Sequence, residues 1–314
     1  MTRGFLAIED ESAERIETLL AGAEKLRPLF ESGRASWIAT GRTAVLGFFE
    51  NSTRTRSAFT RAAALLGMNT LPFDASVSSA KKGETLRDTV NNLAAMRPAL
   101  FVIRHPEADA PARVLEWTKI PTVNAGDGAH EHPTQGLLDA YCLQREFGRL
   151  KGLKVVICGD LRHSRVARSN LHLLTKLGAQ VILVHPPTLG FDTGFTLPDG
   201  AKVDGDLDGN LEDADAVMML RIQRERMEGP FLPPGGEYRS RWGMTAARAA
   251  RLKPGAIVMH PGPMNRGIEI DSEVADGPRS RILRQVEGGV VCRAAVFLDL
   301  LGLSVDDAVK KVVG

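Results

Sequence analysis

The sequence predicts an α/β protein of two doubly wound parallel-sheet domains. Two observations lead there. Apolar runs of strand length alternate with segments of helical period in both halves of the chain, and such alternation implies parallel sheets with right-handed crossovers. The alternation breaks once, at Phe147-Gly148-Arg149-Leu150-Lys151-Gly152-Leu153. A domain boundary belongs just before that break, inside or after a helix that holds Leu137 to Tyr141. The 314 residues suffice for two domains, and 43% hydrophobic with 25% charged residues is a globular composition.

The first half opens with a helix over Ile8 to Phe30, in which Ile16, Leu19, Leu20, Ala23 and Leu26 share a face. Ala44 to Phe49 reads as a buried strand. Ser52, a good N-cap, comes next, and Phe59, Ala62, Ala63 and Leu66 then mark one face of a helix that Gly67 stops. Ser52, Thr53, Arg54 and Thr55 therefore stand where a strand ends and a helix begins. The unpaired N–H groups and the dipole of a first helical turn favour an anion there. Hydroxyls and a guanidinium added to those donors make a phosphate cradle; the alternative is a capped helix with solvated arginines. Met68 to Phe73 is a short strand, followed by a polar loop from Asp74 to Glu84. Thr85 and Asp88 have the spacing of a capping box, and Leu86, Val90, Leu93 and Ala94 continue as a buried helix face. Leu100 to Ile103 is a strand that ends in Arg104-His105-Pro106. Ala112 to Trp117 is a short helix. Ile120 to Asn124 is a strand that opens into a loop ending His130-Glu131-His132-Pro133-Thr134-Gln135. Pro133 suits the first position of a helix. Ligands of open parallel sheets bind beyond the carboxyl ends of the strands. Three such ends here carry donors: Ser52 to Thr55, Arg104, and His132 with Gln135.

The second half repeats the pattern. Lys154 to Cys158 is a strand, Val166 to Leu177 a helix, and Gln180 to Val184 the next strand. This resembles the opening of a dinucleotide fold, but the G-x-G-x-x-G fingerprint is absent. Only Gly159 stands in the turn, with arginines around it, which opposes a nicotinamide cofactor. Asp215 to Leu220 reads as the third strand and ends in Arg221-Ile222-Gln223. Ala256 to Met259 reads as the fourth and ends in His260-Pro261-Gly262-Pro263. Arg165 and Arg221 again lie where strands stop. Gly229 to Trp242 is rich in Pro and Gly and reads as a long surface loop and a candidate lid. Val291 to Leu303 is a last apolar helix, and its residues leave open which domain it joins.

Net charge is +2, so no global field draws the chain to nucleic acid or to a membrane surface. No apolar stretch is long enough to span a bilayer, and the N-terminus lacks the apolar core of a signal peptide. Cys142, Cys158 and Cys292 are scattered and form no C-x-x-C pair, the pattern of buried thiols in a reducing cytoplasm. His130-Glu131-His132 invites a metal, but a third ligand is missing and no metal is expected.

Ser52-Thr53-Arg54-Thr55-Arg56, Arg104-His105-Pro106, His132-Pro133-Thr134-Gln135 and His260-Pro261-Gly262-Pro263 fall in the order and spacing of the carbamoyltransferases. The chain resembles that family over essentially its full length. Ser78-Ser79-Ala80-Lys81-Lys82-Gly83-Glu84 and Arg221-Ile222-Gln223 resemble its aspartate branch. The resemblance implies a carbamoyl phosphate-binding domain over 1–140, joined by the C-terminal helix of 291–314, and an aspartate-binding domain over 141–290. It implies transfer of the carbamoyl group from carbamoyl phosphate to L-aspartate, in pyrimidine biosynthesis, without a cofactor. It also implies a homotrimer with shared active sites. Some relatives bind regulatory chains or dihydroorotase, and nothing in the sequence decides between these partners. Pro230-Phe231-Leu232-Pro233-Pro234-Gly235-Gly236 is richer in Pro and Gly than the family pattern.

By the resemblance, Ser52, Thr53, Arg54, Thr55, Arg104, His132, Gln135, Gly262 and Pro263 bind carbamoyl phosphate. Arg54, Thr55, Arg104 and His132 among them act in catalysis. Lys82, Arg165, Arg221 and Gln223 bind aspartate, with Ser78 and Lys82 reaching in from a neighbouring subunit. The chemistry agrees. A dianionic phosphate suits the cradle, and the carbonyl oxygen, which gains charge under attack, needs donors aimed at it. His132, at a helix start where the dipole disfavours a cation, is expected neutral and donating. Aspartate's carboxylates suit lysine and arginine partners. An ornithine carbamoyltransferase would share the phosphate half but carry acids in place of Lys82, Arg165 and Arg221. A nicotinamide dehydrogenase lacks its glycines here, and a non-catalytic anion-binding protein would keep the cradle without turnover.

Overall fold

The computed structural model describes residues 4–74, 84–223 and 236–313. It divides into two units, Met1–Tyr141 with Val286–Gly314, and Cys142–Gln285.

In the first unit the chain runs β1 (Gly4–Phe5), α1 (Ala13–Glu31), β2 (Ala35–Ser36), β3 (Thr43–Phe48), α2 (Thr53–Leu65), β4 (Asn69–Asp74), α3 (Leu86–Ala95), β5 (Leu100–His105), α4 (Ala110–Thr118), β6 (Thr122–Asp127) and α5 (Pro133–Phe147). The helix expected from Ile8 begins later, at Ala13, because Ser12 caps it through the Arg15 N–H at 3.1 Å. Ile8 instead donates its N–H to the Glu131 carboxylate at 3.0 Å. Thr85 opens α3 as expected: its hydroxyl accepts the Asp88 N–H at 3.2 Å and donates to the Asp88 carboxylate at 2.7 Å.

The sheet order is β1-β6-β5-β3-β4, and every pair is parallel. From β3 the chain steps to β4 on one side, then returns to β5 on the other. The crevice beyond β3 and β5 is therefore the topological switch point of this sheet. Strands buried on both faces read as continuous apolar runs, which is why Ala44 to Phe48 was plain in the sequence. One face packs Val45, Phe101 and Ile103 against Val90, Leu93 and Val114.

The second unit runs β7 (Lys154–Cys158), α6 (Arg165–Lys176), β8 (Gln180–Val184), β9 (Ala201–Asp204), β10 (Ala216–Met219), α7 (Glu237–Trp242), α8 (Ala246–Arg251), β11 (Ile257–Met259) and α9 (Ser272–Ala275). Its sheet is also all parallel, in the order β11-β10-β7-β8-β9. The switch point here lies between β7 and β10. The strand read as third is in fact preceded by β9, an edge strand whose Lys202, Val203 and Asp204 are exposed and carry no apolar signature. The expected loop of Gly229 to Trp242 ends in a helix, α7, which buries Tyr238 and Trp242 in the core; residues 229–235 lie outside the described residues.

Helix α10 (Ile282–Leu300) is followed by α11 (Val305–Lys310) and β12 (Val312–Val313), which pairs antiparallel with β2. The apolar helix of the sequence is thus longer at its start and is not the last. From Val286 onward α10 belongs to the first unit. Phe297 stacks on Phe59 of α2 with ring centroids 5.7 Å apart. Gly288 brings the helix against α5, since a Cβ there would meet Tyr141 Cδ1 at 2.9 Å.

Candidate active site

The cradle stands at the first unit's switch point. Ser52 occupies the N-cap position of α2 in an extended conformation, yet its hydroxyl makes no capping hydrogen bond. Its side chain is thus not consumed by the helix. Thr53 and Arg54 are exposed and Thr55 is buried. Arg56, the last residue of the string, turns away: it pairs with Asp74 of β4 at 2.7 Å and lies over the Phe48 ring.

Arg104, the penultimate residue of β5, lies directly beside Phe48 of β3, and the Phe49 N–H donates to its carbonyl at 2.8 Å. Its Nε lies 3.2 Å from Glu50 Oε2. The register therefore sets Arg104 and the cradle at neighbouring strand ends. His105 packs its ring on Phe49, and its Nδ1 accepts the Glu107 N–H at 3.0 Å. Burial holds its pKa below the usual imidazole value.

Strand β6 lies next to β5, and the loop after it carries His132. The His132 carbonyl accepts the N–H groups of Gln135 and Gly136, so His132 is the N-cap residue of α5 and Pro133 its first helical residue. A buried polar network fixes this loop. Asn124 Nδ2 donates to Asp127 Oδ1 at 2.8 Å, Asp127 accepts the N–H groups of Asp109 and Glu131, and the Glu131 carboxylate takes those of Ile8 and Glu9. Among the described residues, the ligand atoms of Asp109, Asp127 and His130 come within 4.8 Å of one another. Asp127 Oδ2 accepts the Asp109 N–H at 2.8 Å and faces His130 Nδ1 at 3.0 Å, a hydrogen bond that raises the His130 pKa. His130 and Glu131 are thus loop ties. Gln135, one turn into α5, is buried and donates its amide to Asp139 at 2.9 Å.

The second unit carries the other residues at its own switch point. Ser164 caps α6 through the Ala167 N–H at 3.1 Å, which sets the buried Arg165 at the first helical position. Arg221, Ile222 and Gln223 leave β10 next to this turn. Gln223 Nε2 donates to the His163 carbonyl at 2.9 Å, and the buried Asp160 carboxylate takes the His163 N–H. The lone Gly159 has a local reason: a Cβ there would lie 2.9 Å from the Leu220 carbonyl. It permits close strand ends rather than a pyrophosphate. After β11, His260 Nδ1 accepts the Gly262 N–H at 2.8 Å and Nε2 faces Glu269, both side chains fully buried. Gly262 has φ +63, and the Gly262–Pro263 bond is cis. Asn265 Nδ2 donates to the Ile222 carbonyl at 3.3 Å, tying this loop to that of Arg221.

Ser78 and Lys82 lie outside the described residues. The sequence also left unnoticed the carboxylates behind the donors: Glu50, Asp139, Asp160 and Glu269. Asp139 had one readable sign, its place one helical turn after Gln135.

Residues 3–145 match the carbamoyl-P binding domain of aspartate/ornithine carbamoyltransferase, and residues 151–300 match its Asp/Orn binding domain. The chain belongs to the aspartate/ornithine carbamoyltransferase family. Within this family, it is 52% identical over 299 residues to the aspartate carbamoyltransferase catalytic subunit of Sorangium cellulosum, covering 94% of this chain and 92% of the relative. It is 48% identical to that of Gluconacetobacter diazotrophicus, with 98% and 95% covered. The fold superposes on Trypanosoma cruzi aspartate transcarbamoylase in complex with N-(phosphonacetyl)-L-aspartic acid at a TM-score of 0.86, with 31% identity and 96% of each chain covered. It superposes almost as well on Pyrococcus furiosus ornithine carbamoyltransferase, at 0.84, with 26% identity and 96% and 97% covered. Backbone shape is thus common to both branches of the carbamoyltransferases, and the sequence similarity is what selects aspartate.

Proposed function

We propose that the protein transfers the carbamoyl group of carbamoyl phosphate to the amine of L-aspartate, giving N-carbamoyl-L-aspartate and phosphate for pyrimidine biosynthesis. The observation that carries this reading is the cradle of Ser52 to Thr55, set beside Arg104 at the β3–β5 switch point of a chain about half identical to aspartate carbamoyltransferases.

In this reading Ser52, Thr53, Arg54 and Thr55 hold the phosphate with the first N–H groups of α2. Each charge-assisted hydrogen bond contributes about 1.5–3 kcal/mol. Thr55, Arg104 and His132 donate to the carbonyl oxygen, and Gln135, Gly262 and Pro263 hold the carbamoyl end. His132 acts as a neutral donor. Arg165 and Arg221 meet the carboxylates of aspartate, and Gln223 joins them through the second N–H of its amide. The uncharged amine of aspartate attacks the carbonyl carbon and forms the new C–N bond. The C–O bond to phosphate then breaks with its electron pair leaving on phosphate, and the departing phosphate accepts the proton that the amine sheds. No side chain need serve as a base. Alignment of the two substrates supplies roughly 7–11 kcal/mol of the barrier reduction.

We further propose a cytoplasmic homotrimer in which Ser78 and Lys82 of a neighbouring chain complete each site. The test is an assay for N-carbamoyl-L-aspartate without added metal, run beside ornithine as the alternative acceptor. Carbamoyl aspartate and no citrulline is expected. N-(phosphonoacetyl)-L-aspartate, which joins the two substrates, should inhibit far below the concentration at which aspartate saturates. Citrulline as the product, or inhibition no tighter than by aspartate, overturns the reading.

A further inference from the structure

Behind the cradle a buried guanidinium and a buried carboxylate meet two helices of the site. Asp139 is fully buried on α5 and accepts the Gln135 amide N–H at 2.9 Å. Arg293, also buried, lies on α10 with its guanidinium over the Phe59 ring, 4.9 Å from the centroid. Phe59 follows Thr55 by one turn of α2. Arg293 Nη1 donates to the Gly289 carbonyl at 2.8 Å. The two glycines before it make this possible. A Cβ on Gly288 would strike Tyr141 of α5 at 2.9 Å, and one on Gly289 would lie 2.5 Å from Arg293 Nη1. A desolvated guanidinium is costly unless a negative charge answers it. Burial draws the Arg293 pKa down to about 10, and the charge of Asp139 acts against that shift.

The Gln135 amide has two ends. With Nε2 on a carboxylate, which only accepts, its Oε1 occupies the opposite corner. Flipping the amide would set an oxygen against Asp139 and strand a donor. An amide held this way offers an acceptor, which is what the –NH2 of a carbamoyl group requires.

Resting on the proposed reaction, we infer that Asp139 is a positioning residue: it locks the Gln135 amide so that its oxygen reads the carbamoyl –NH2. The site then distinguishes carbamoyl phosphate from acetyl phosphate, in which a methyl group replaces –NH2, because the methyl leaves the buried oxygen without a donor.

The experiment measures KM for carbamoyl phosphate and the competitive inhibition constant of acetyl phosphate in the same enzyme. Wild-type enzyme that makes no carbamoyl aspartate defeats the proposed reaction, and this inference with it. Given an active wild type, Asp139→Ala should raise KM for carbamoyl phosphate about tenfold, while the acetyl phosphate constant changes less than about twofold. Asp139→Ala alone leaves Arg293 buried without its counter-charge, so the double variant Asp139→Ala with Arg293→Met is made as well. It should recover the melting temperature but not the discrimination. If both constants move together, or neither moves, in whichever variant folds, Asp139 is only structural and the inference fails.

Discussion

In the first turn of α2 the two arginines differ in exposure and in setting. Arg56 is committed to Asp74 and Phe48, whereas Arg54 is exposed at the helix start. Arg54→Ala should therefore lower kcat about 100–1,000-fold with an unchanged melting temperature. Near-normal kcat would remove the cradle from the chemistry. Arg221→Ala should chiefly raise the apparent KM for aspartate. Two histidines near the site carry opposite pH signatures. The His130 pKa is raised by its hydrogen bond to Asp127, so its stabilisation is complete below the ordinary imidazole value and is lost as pH rises through the raised one. The His105 pKa is lowered by burial, so its stabilisation holds above the ordinary value and is lost as pH falls through the lowered one. In urea unfolding, His130→Asn should thus cost more at pH about 5.5 than at about 8.5, and His105→Asn less. Identical pH trends for the two variants would contradict these assignments.

The strands that are buried along an apolar run were legible in the sequence. β3, β5, β7 and β8 are built on buried apolar runs and were read within a residue or two; exposed β9 was not read. The start of α10 was missed because Leu283 and Val286 are exposed there and Gly288-Gly289 resemble a break. The same glycines let α10 lie against Tyr141 and Leu138 of α5. Gly289→Ala should lower stability by about 1–3 kcal/mol through overpacking against Arg293. Gly205, with nothing within 4 Å of an added Cβ, is the control, and Gly205→Ala should change stability by less than about 0.5 kcal/mol. Equal effects in chemical denaturation would mean that α10 tolerates a wider separation. The site shows the same divide. Donors at strand ends were legible because a loop between strand and helix carries its chemistry in one short string. Asp139 and Glu131 were not, because Arg293 and Ile8, the residues that explain them, are far away in the chain.

At the scale of the whole molecule, each sheet carries its arginines at its own switch point, Arg54 and Arg104 in one unit, Arg165 and Arg221 in the other. The one cation the family resemblance adds, Lys82, is assigned to a neighbouring chain's site, and assembly decides whether that assignment holds. Arg54→Ala and Lys82→Ala should each be inactive, the first for want of a cradle, the second for want of a partner for aspartate. If the protein is the proposed trimer, refolding the two together gives mixed trimers. Where a chain with an intact cradle stands next to a chain with an intact lysine in the required order, that interface holds no substitution. Random mixing of equal amounts makes about one interface in four intact, since two independent choices of about one half must coincide. Activity should therefore return to about a quarter of wild type, while each parent stays inactive. If hybrid trimers form, as resolved by native mass spectrometry with one chain isotopically labelled, and activity stays at the parental level, Lys82 serves its own chain and the shared site is wrong.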